Sequence, residues 1–302
     1  MALESEPMSA EFRRRTVANA VAIEGNGLHS GIYTTIEIRP AEAGDGISFL
    51  RKDLGNLEIP VRQESTTALD HATSVGLDDV SVGTIEHLLS AVQVFGITDA
   101  CLVIDGPEVP IVDGSALPFI HLIEAAGVRD LPQTVAPLRV NQPVVLETGD
   151  RYIRLDPADQ LSISYTIDFP HPAIGVQSID WTAGDANAFA RDIAPARTFG
   201  FLSEVEKLRA VGLARGGSVD NCIVLDEDTV TNGPLRFRDE FVRHKIVDLL
   251  GDLVLLGRPL VGRITAFKAG HALHSRFVEA ILRASESIVP SKRESDRDQT
   301  AV

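Results

Sequence analysis

The chain has 302 residues, 44% of them hydrophobic, with 28 Lys plus Arg against 43 Asp plus Glu for a net charge of −15. At roughly 150 residues per domain this suggests two domains, and so acidic a balance argues against a protein that coats nucleic acid or an anionic membrane. With 5% aromatic residues there is also little material for stacking single-stranded bases. No apolar run approaches the ~18 residues of a spanning helix, and MALESEPMSAEF has acids where a secretion signal needs bases. A cytoplasmic protein without stable membrane insertion is expected.

Residues 1–13 and 290–302 are polar and without periodicity, and are expected to be mobile tails. Between them, IYTTIEI, GISFL and LEIPV read as strands, followed by a helix from Thr84, the strand ACLVID and a second helix opening at Ser115. The segment VRDLPQTVAP reads as turn-rich. The order then repeats: strands at PVVLE, RYIRLD and LSISYTIDF, a helix-bearing stretch, a long helix over 235–256, the strand VGRITAFK and a helix over 272–285. The repeat predicts an α+β fold of two similar domains, 14–130 and 136–289, each a sheet covered on one face by two helices. A ligand site between them is the natural expectation. Cys101 and Cys222, inside apolar strand-like runs, read as small buried hydrophobes.

Two helices carry polar groups opposite an apolar stripe. In TIEHLLSAVQVF, Ile85, Leu88, Leu89, Val92 and Phe95 share one side. His87 falls roughly 140° from the centre of that stripe at ~100° per residue, with Glu86 between. In FVRHKIVDLLGDLVLL, Val242, Ile246, Leu249, Leu250 and Leu253 face one way and His244, Lys245, Asp248 and Asp252 the other. His244, Asp248 and Asp252 recur every fourth residue, so their side chains stack along one line. Taken singly, either polar face is equally a solvated surface. Together, His87, His244 and Asp248 are the three nitrogen and oxygen donors that zinc takes when a fourth position stays open for water. Glu86 then stands where a general base is needed, and Asp252 suits the orientation of a histidine better than a fourth ligand. His271, in a loop after a strand, is open to catalysis or to a satisfied loop role. His29 sits in a Gly-rich turn, and His71, His121, His171 and His274 have no spacing argument.

GNGLHSG, TIEHLLSA, PEVPIVDGSALPF, ARTFGF, FVRHKIVDLLGDL and FKAGHALH, in this order between about Arg14 and Ser287, resemble the UDP-3-O-acyl-N-acetylglucosamine deacetylases of lipid A synthesis. The resemblance implies two α+β sandwiches with facing helical layers and the active site between them. It implies one zinc per chain, with ferrous iron as the in vivo alternative, on His87, His244 and Asp248. Glu86 is then the base, His271 the general acid or cationic stabiliser supported by Asp252, and Thr198 a contact to the oxyanion. Lys245, Lys268 and His29 correspond to positions near the substrate diphosphate, Asp168 and Phe169 to the uridine, and Phe199 to the sugar and the start of the acyl chain. Residues 199–224, where Leu202, Val205 and Leu208 recur every third residue, correspond to an insert around the acyl tail; docking of that stripe on the second sheet is the competing expectation. His71 stands where some members carry a cysteine, which bears on a second, inhibitory metal. The expected partner is a small acylated nucleotide sugar as substrate, with no nucleic acid, and the protein is expected to be a monomer. Rival readings are a binding protein without chemistry and a magnesium-dependent phosphoryl-transfer enzyme using Asp248 and Asp252; two histidines per site disfavour magnesium.

Overall fold

The structure, a computed structural model, describes residues 11–67 and 71–286. In the first half the elements are β1 (Phe12–Val17), β2 (Val21–Asn26), β3 (Tyr33–Pro40), β4 (Ile47–Arg51), β5 (Leu57–Pro60), β6 (Val75–Leu77), β7 (Val80–Val82), α1 (Glu86–Val94), β8 (Ala100–Ile104), α2 (Leu117–Ala126) and β9 (Val128–Val135). In the second they are β10 (Val144–Thr148), β11 (Arg151–Asp156), β12 (Ser162–Phe169), β13 (Gly175–Thr182), α3 (Ala186–Asp192), β14 (Phe199–Phe201), α4 (Leu202–Ala210), β15 (Ile223–Leu225), α5 (Glu240–Leu253), β16 (Arg263–Phe267) and α6 (His271–Glu286).

Each half builds a five-stranded sheet, ordered β2-β3-β8-β4-β5 and β10-β11-β16-β12-β13. Numbered within each half these are the same order, with one parallel pair apiece, β4 with β8 and β12 with β16, and antiparallel pairs elsewhere. Alternation dictates the buried faces: Thr34, Ile36 and Ile38 of β3, and Ile163, Tyr165 and Ile167 of β12, point inward while their neighbours are more exposed. Helices α1 and α2 pack beside each other in the first half, α5 and α6 in the second.

The two helical layers meet where α1 packs on α5. At the crossing, a Cβ on Gly251 would stand 2.2 Å from the carbonyl oxygen of Glu86. Glycine inside a helix costs about 0.5–1 kcal/mol relative to alanine, and here it admits a backbone-to-backbone approach that no side chain allows. Both helices are therefore buried on two sides, with the apolar stripe on the sheet and the opposite face on the other helix.

Several expectations need correction. VRDLPQTVAP is largely strand β9, which pairs antiparallel with β1 through a register shift between Arg13 and Arg15. Pro132 is tolerated because this two-stranded ribbon is bulged there and lies outside the main sheets. For the same reason Phe12 and Arg13 belong to β1 and not to an N-terminal tail; the rest of the expected tails, 1–10 and 290–302, lies outside the described residues. Helix α5 begins at Glu240, five residues after the expected start, and its end continues as a 3₁₀ turn to Leu256. Cys101 and Cys222 are free and only partly buried.

Candidate active site

Glu86 and His87 are the first residues of α1, and the chain enters that helix through Thr84, held at φ 54°. Positive φ is unfavourable for a β-branched residue. It is secured by Glu108, a buried carboxylate that accepts from Thr84 Oγ1 at 2.7 Å and from the main-chain N–H groups of His29 at 2.8 Å and Ser30 at 2.6 Å. The strained turn aims the start of α1 at α5.

The polar face of α5 is not solvated. His87, His244, Asp248 and Asp252 are 3%, 2%, 2% and 1% exposed, which removes the surface-helix alternative for both helices. His87, His244 and Asp248 bring one ligand atom each to within 4.8 Å of one another. The His87 and His244 rings stand edge-on with centroids 4.9 Å apart. His244 Nδ1 lies 3.0 Å from the carbonyl oxygen of Ala196, so Nδ1 carries the proton and donates it, leaving Nε2 free, 3.2 Å from Asp248 Oδ1. His87 Nδ1 is buried without a hydrogen-bond partner among the described residues.

The electrostatics favour a cation. Burial lowers His87 to about 3 and lowers His244, so both rings are neutral, as ligation requires. Burial works against ionised Asp248, but the positive charges of Lys245 and His271 outweigh it and hold the carboxyl below its ordinary value; Lys245 Nζ donates to its Oδ2 at 2.7 Å. Two neutral imidazoles, one of them with an unpartnered buried nitrogen, and one carboxylate fit a divalent metal of the zinc type.

Beside this group stand two titratable groups driven in opposite senses. Burial raises Glu86 to about 7, with His271 opposing and Asp248 and Asp252 reinforcing the rise. His271, at the start of α6, is raised to about 9: burial opposes protonation, but the charge and hydrogen bond of Asp252, together with Asp248 and Glu86, outweigh it. His271 Nε2 is 3.8 Å from Glu86 Oε1 and 3.9 Å from Asp248 Oδ2, and its Nδ1 donates to Asp252 Oδ2 at 2.9 Å. A carboxylate poised to take a proton faces an imidazolium poised to give one.

Of the other expected residues, Phe199 packs edge-on against Phe169 and Phe241, at 5.7 and 5.0 Å between centroids, with Lys245 Nζ 5.5 Å above its ring. Thr198 is anchored through its main-chain N–H to the Gly114 carbonyl at 2.7 Å, a bond between the two halves. Lys268, at φ 53°, pairs with Asp150 at 2.6 Å and stands 3.5 Å from Asp168. His29 lies near His71, ring centroids 6.4 Å apart, with both its ring nitrogens buried and unpartnered among the described residues. Neither Lys268 nor His29 bonds to the metal-binding group among the described residues.

Sequence reasoning missed Thr73, Glu108 and Tyr165, and treated His274 as unremarkable. His274 Nδ1 donates to Asp252 Oδ2 at 2.8 Å, beside His271, and its Nε2 lies 3.1 Å from the Tyr165 hydroxyl. The i, i+3 spacing of His271 and His274 was the available signal. For Thr73 and Glu108 no periodicity points to the site.

The UDP-3-O-acyl N-acetylglycosamine deacetylase family profile matches residues 14–283, a span that contains every side chain described above. The chain belongs to that family. A UDP-3-O-acyl-N-acetylglucosamine deacetylase of Myxococcus xanthus (strain DK1622) is 47% identical over 288 residues, covering 94% of this chain and 91% of the relative. Those of Leptospira biflexa (strain Patoc 1 / Ames) and Helicobacter pylori (strain J99) are 45% and 42% identical, covering 91% and 90% of this chain and 91% and 92% of theirs.

Proposed function

We propose that the chain hydrolyses the N-acetyl group of a UDP-3-O-acyl-N-acetylglucosamine, releasing acetate and a free 2-amine for later acylation in lipid A synthesis. The observation that carries this reading is the three-donor group flanked by Glu86 raised to about 7 and His271 raised to about 9. His87, His244 and Asp248 would hold one zinc ion, or ferrous iron. When bound, the metal supplies Lewis acidity to the acetyl carbonyl and makes water more acidic. Glu86 accepts the proton from water as its oxygen bonds to the acetyl carbon. His271, kept cationic by Asp252, stabilises the oxyanion with the Thr198 hydroxyl and gives its proton to the departing nitrogen as the C–N bond breaks.

Lys245, Lys268 and His29 serve the diphosphate, Asp168 and Phe169 the uridine, and Phe199 the sugar. Residues 199–224 receive the acyl chain: α4 has no buried residue and Leu202 is 52% exposed, which speaks against docking of its stripe on the second sheet. Residues 14–130 and 136–289 are the proposed domains, and a cytoplasmic monomer is the proposed state; no helix among the described residues is long and apolar enough to cross a membrane.

Acetate release from the acylated nucleotide sugar, measured with the metal content of the purified chain, tests the reading. Release in proportion to about one zinc per chain is expected. Tight substrate binding with no acetate would point to a binding protein, and cleavage at the diphosphate with the acetamide intact to phosphoryl transfer.

A further inference from the structure

Thr73 is fully buried on the segment before β6, in the first half of the chain, yet it touches the catalytic groups of both halves. Its main-chain N–H donates to Glu86 Oε2 at 3.1 Å, and its carbonyl accepts from Ile85 N at 3.3 Å, at the entrance to α1. Its hydroxyl donates to Asp252 Oδ1 at 2.5 Å and lies 3.1 Å from His271 Nδ1.

The hydrogen bonds of Asp252 show why the hydroxyl matters. Oδ2 takes the N–H groups of His271 and His274, whereas the bond recorded at Oδ1 comes from Thr73. The carboxylate is 1% exposed, so solvent has little access to replace a lost donor. An ionised oxygen left unpaired in such a place is costly, and the carboxylate relieves the cost by rotating towards other donors. Rotation would move Oδ2, and with it the His271 ring.

We propose that Thr73 is a positioning residue for proton transfer, its hydroxyl clamping Asp252, and through it His271, while its main-chain N–H orients Glu86. This rests on the deacetylase reading and adds a residue to it. Because every substitution except proline keeps the main-chain donor, side-chain variants isolate the hydroxyl.

Thr73→Val keeps the branched shape and removes the hydroxyl; Thr73→Ser keeps the hydroxyl and removes a methyl. With the metal-replete full chain, Thr73→Val should lower kcat about 10- to 100-fold, the range expected for a misplaced catalytic group, with KM and metal content unchanged. Thr73→Ser should return kcat to within about 3-fold of the parent. In proton NMR of ¹⁵N-histidine-labelled protein, the His271 Nδ1–H resonance should shift or vanish in Thr73→Val and persist in Thr73→Ser. In a His271→Ala background, Thr73→Val should cost almost nothing further, because the two act as one unit. Thr73→Ala serves as the second hydroxyl-free variant should the valine chain fail to fold, and the same kcat loss is required of it. Parental kcat in a hydroxyl-free variant, a serine variant as slow as the valine one, or an undiminished loss in the His271→Ala background would overturn the proposal. Acetate release by the parent chain in the same assay keeps such a result apart from failure of the deacetylase reading.

Discussion

The two halves of the chain share a sheet order and a helix arrangement, yet they contribute unequally to the site. Helix α1 supplies Glu86 and His87 from its first turn, whereas α5 supplies His244, Lys245, Asp248 and Asp252 along three turns. The second helices differ more: α6 brings His271 and His274 to Asp252, while the histidine of α2, His121, is exposed and makes no recorded bond to the metal-binding group. The connections to α1 and α5 diverge as well. In the first half Thr73, between β5 and α1, reaches Asp252; in the second, the segment between β13 and α5 places the Ala196 carbonyl on His244 and sets out α4. A repeated scaffold fixes where helices cross, and unrepeated side chains and loops decide what happens at the crossing.

The most damaging way to break this division of labour is to remove a ligand from either side. His87→Ala, from α1, and His244→Ala or Asp248→Ala, from α5, should each leave well under one metal per chain and abolish acetate release, because two remaining donors do not retain the ion. Elemental analysis after gel filtration measures this; full occupancy in all three would refute the shared site.

Glu86→Gln should spare metal and substrate affinity while lowering kcat by ~10² to 10⁴, since a carboxamide cannot take the proton from water. Metal loss in this variant would make Glu86 a ligand instead of the base.

The pairing of Glu86 with His271 across the halves is sharpened by pH. Glu86 must be ionised, so kcat/KM rises with pH through its value, which burial raises to about 7 and a cation beside it draws lower. His271 must be protonated, and its raised value keeps the proton on until activity falls as pH passes about 9. His271→Ala should erase the basic limb and slow the reaction by ~10² or more; an unchanged basic limb would remove His271 from the acid role.

The smallest effect is expected at the crossing itself. Gly251→Ala gains up to about 1 kcal/mol of helix propensity, but the new Cβ meets Glu86 backbone, which cannot swing away. Overpacking of this kind costs about 1–3 kcal/mol, so thermal unfolding should move to lower temperature. A stabilised variant would mean that the helices can part there without loss.

Much of this was legible beforehand, and the particular residues show why. Period-2 alternation in LSISYTIDF and the stripe of FVRHKIVDLLGDLVLL determine strands and helix faces locally, and the four-residue recurrence of His244, Asp248 and Asp252 places three side chains on one line whatever surrounds them. The repeat of element order likewise specified two like sheets. What the sequence could not determine was the far side of each polar face, since an amphipathic helix reads the same whether that side meets water or another helix. Only packing at Gly251 turned those faces towards each other. The strand character of β9 came from its pairing with β1 more than a hundred residues away, overriding the local signal of Pro132. Thr73 and Glu108 act through hydrogen bonds to groups distant in the chain, and such bonds have no period. Local covalent geometry is written in spacing, whereas burial and the identity of a partner exist only once distant segments have met.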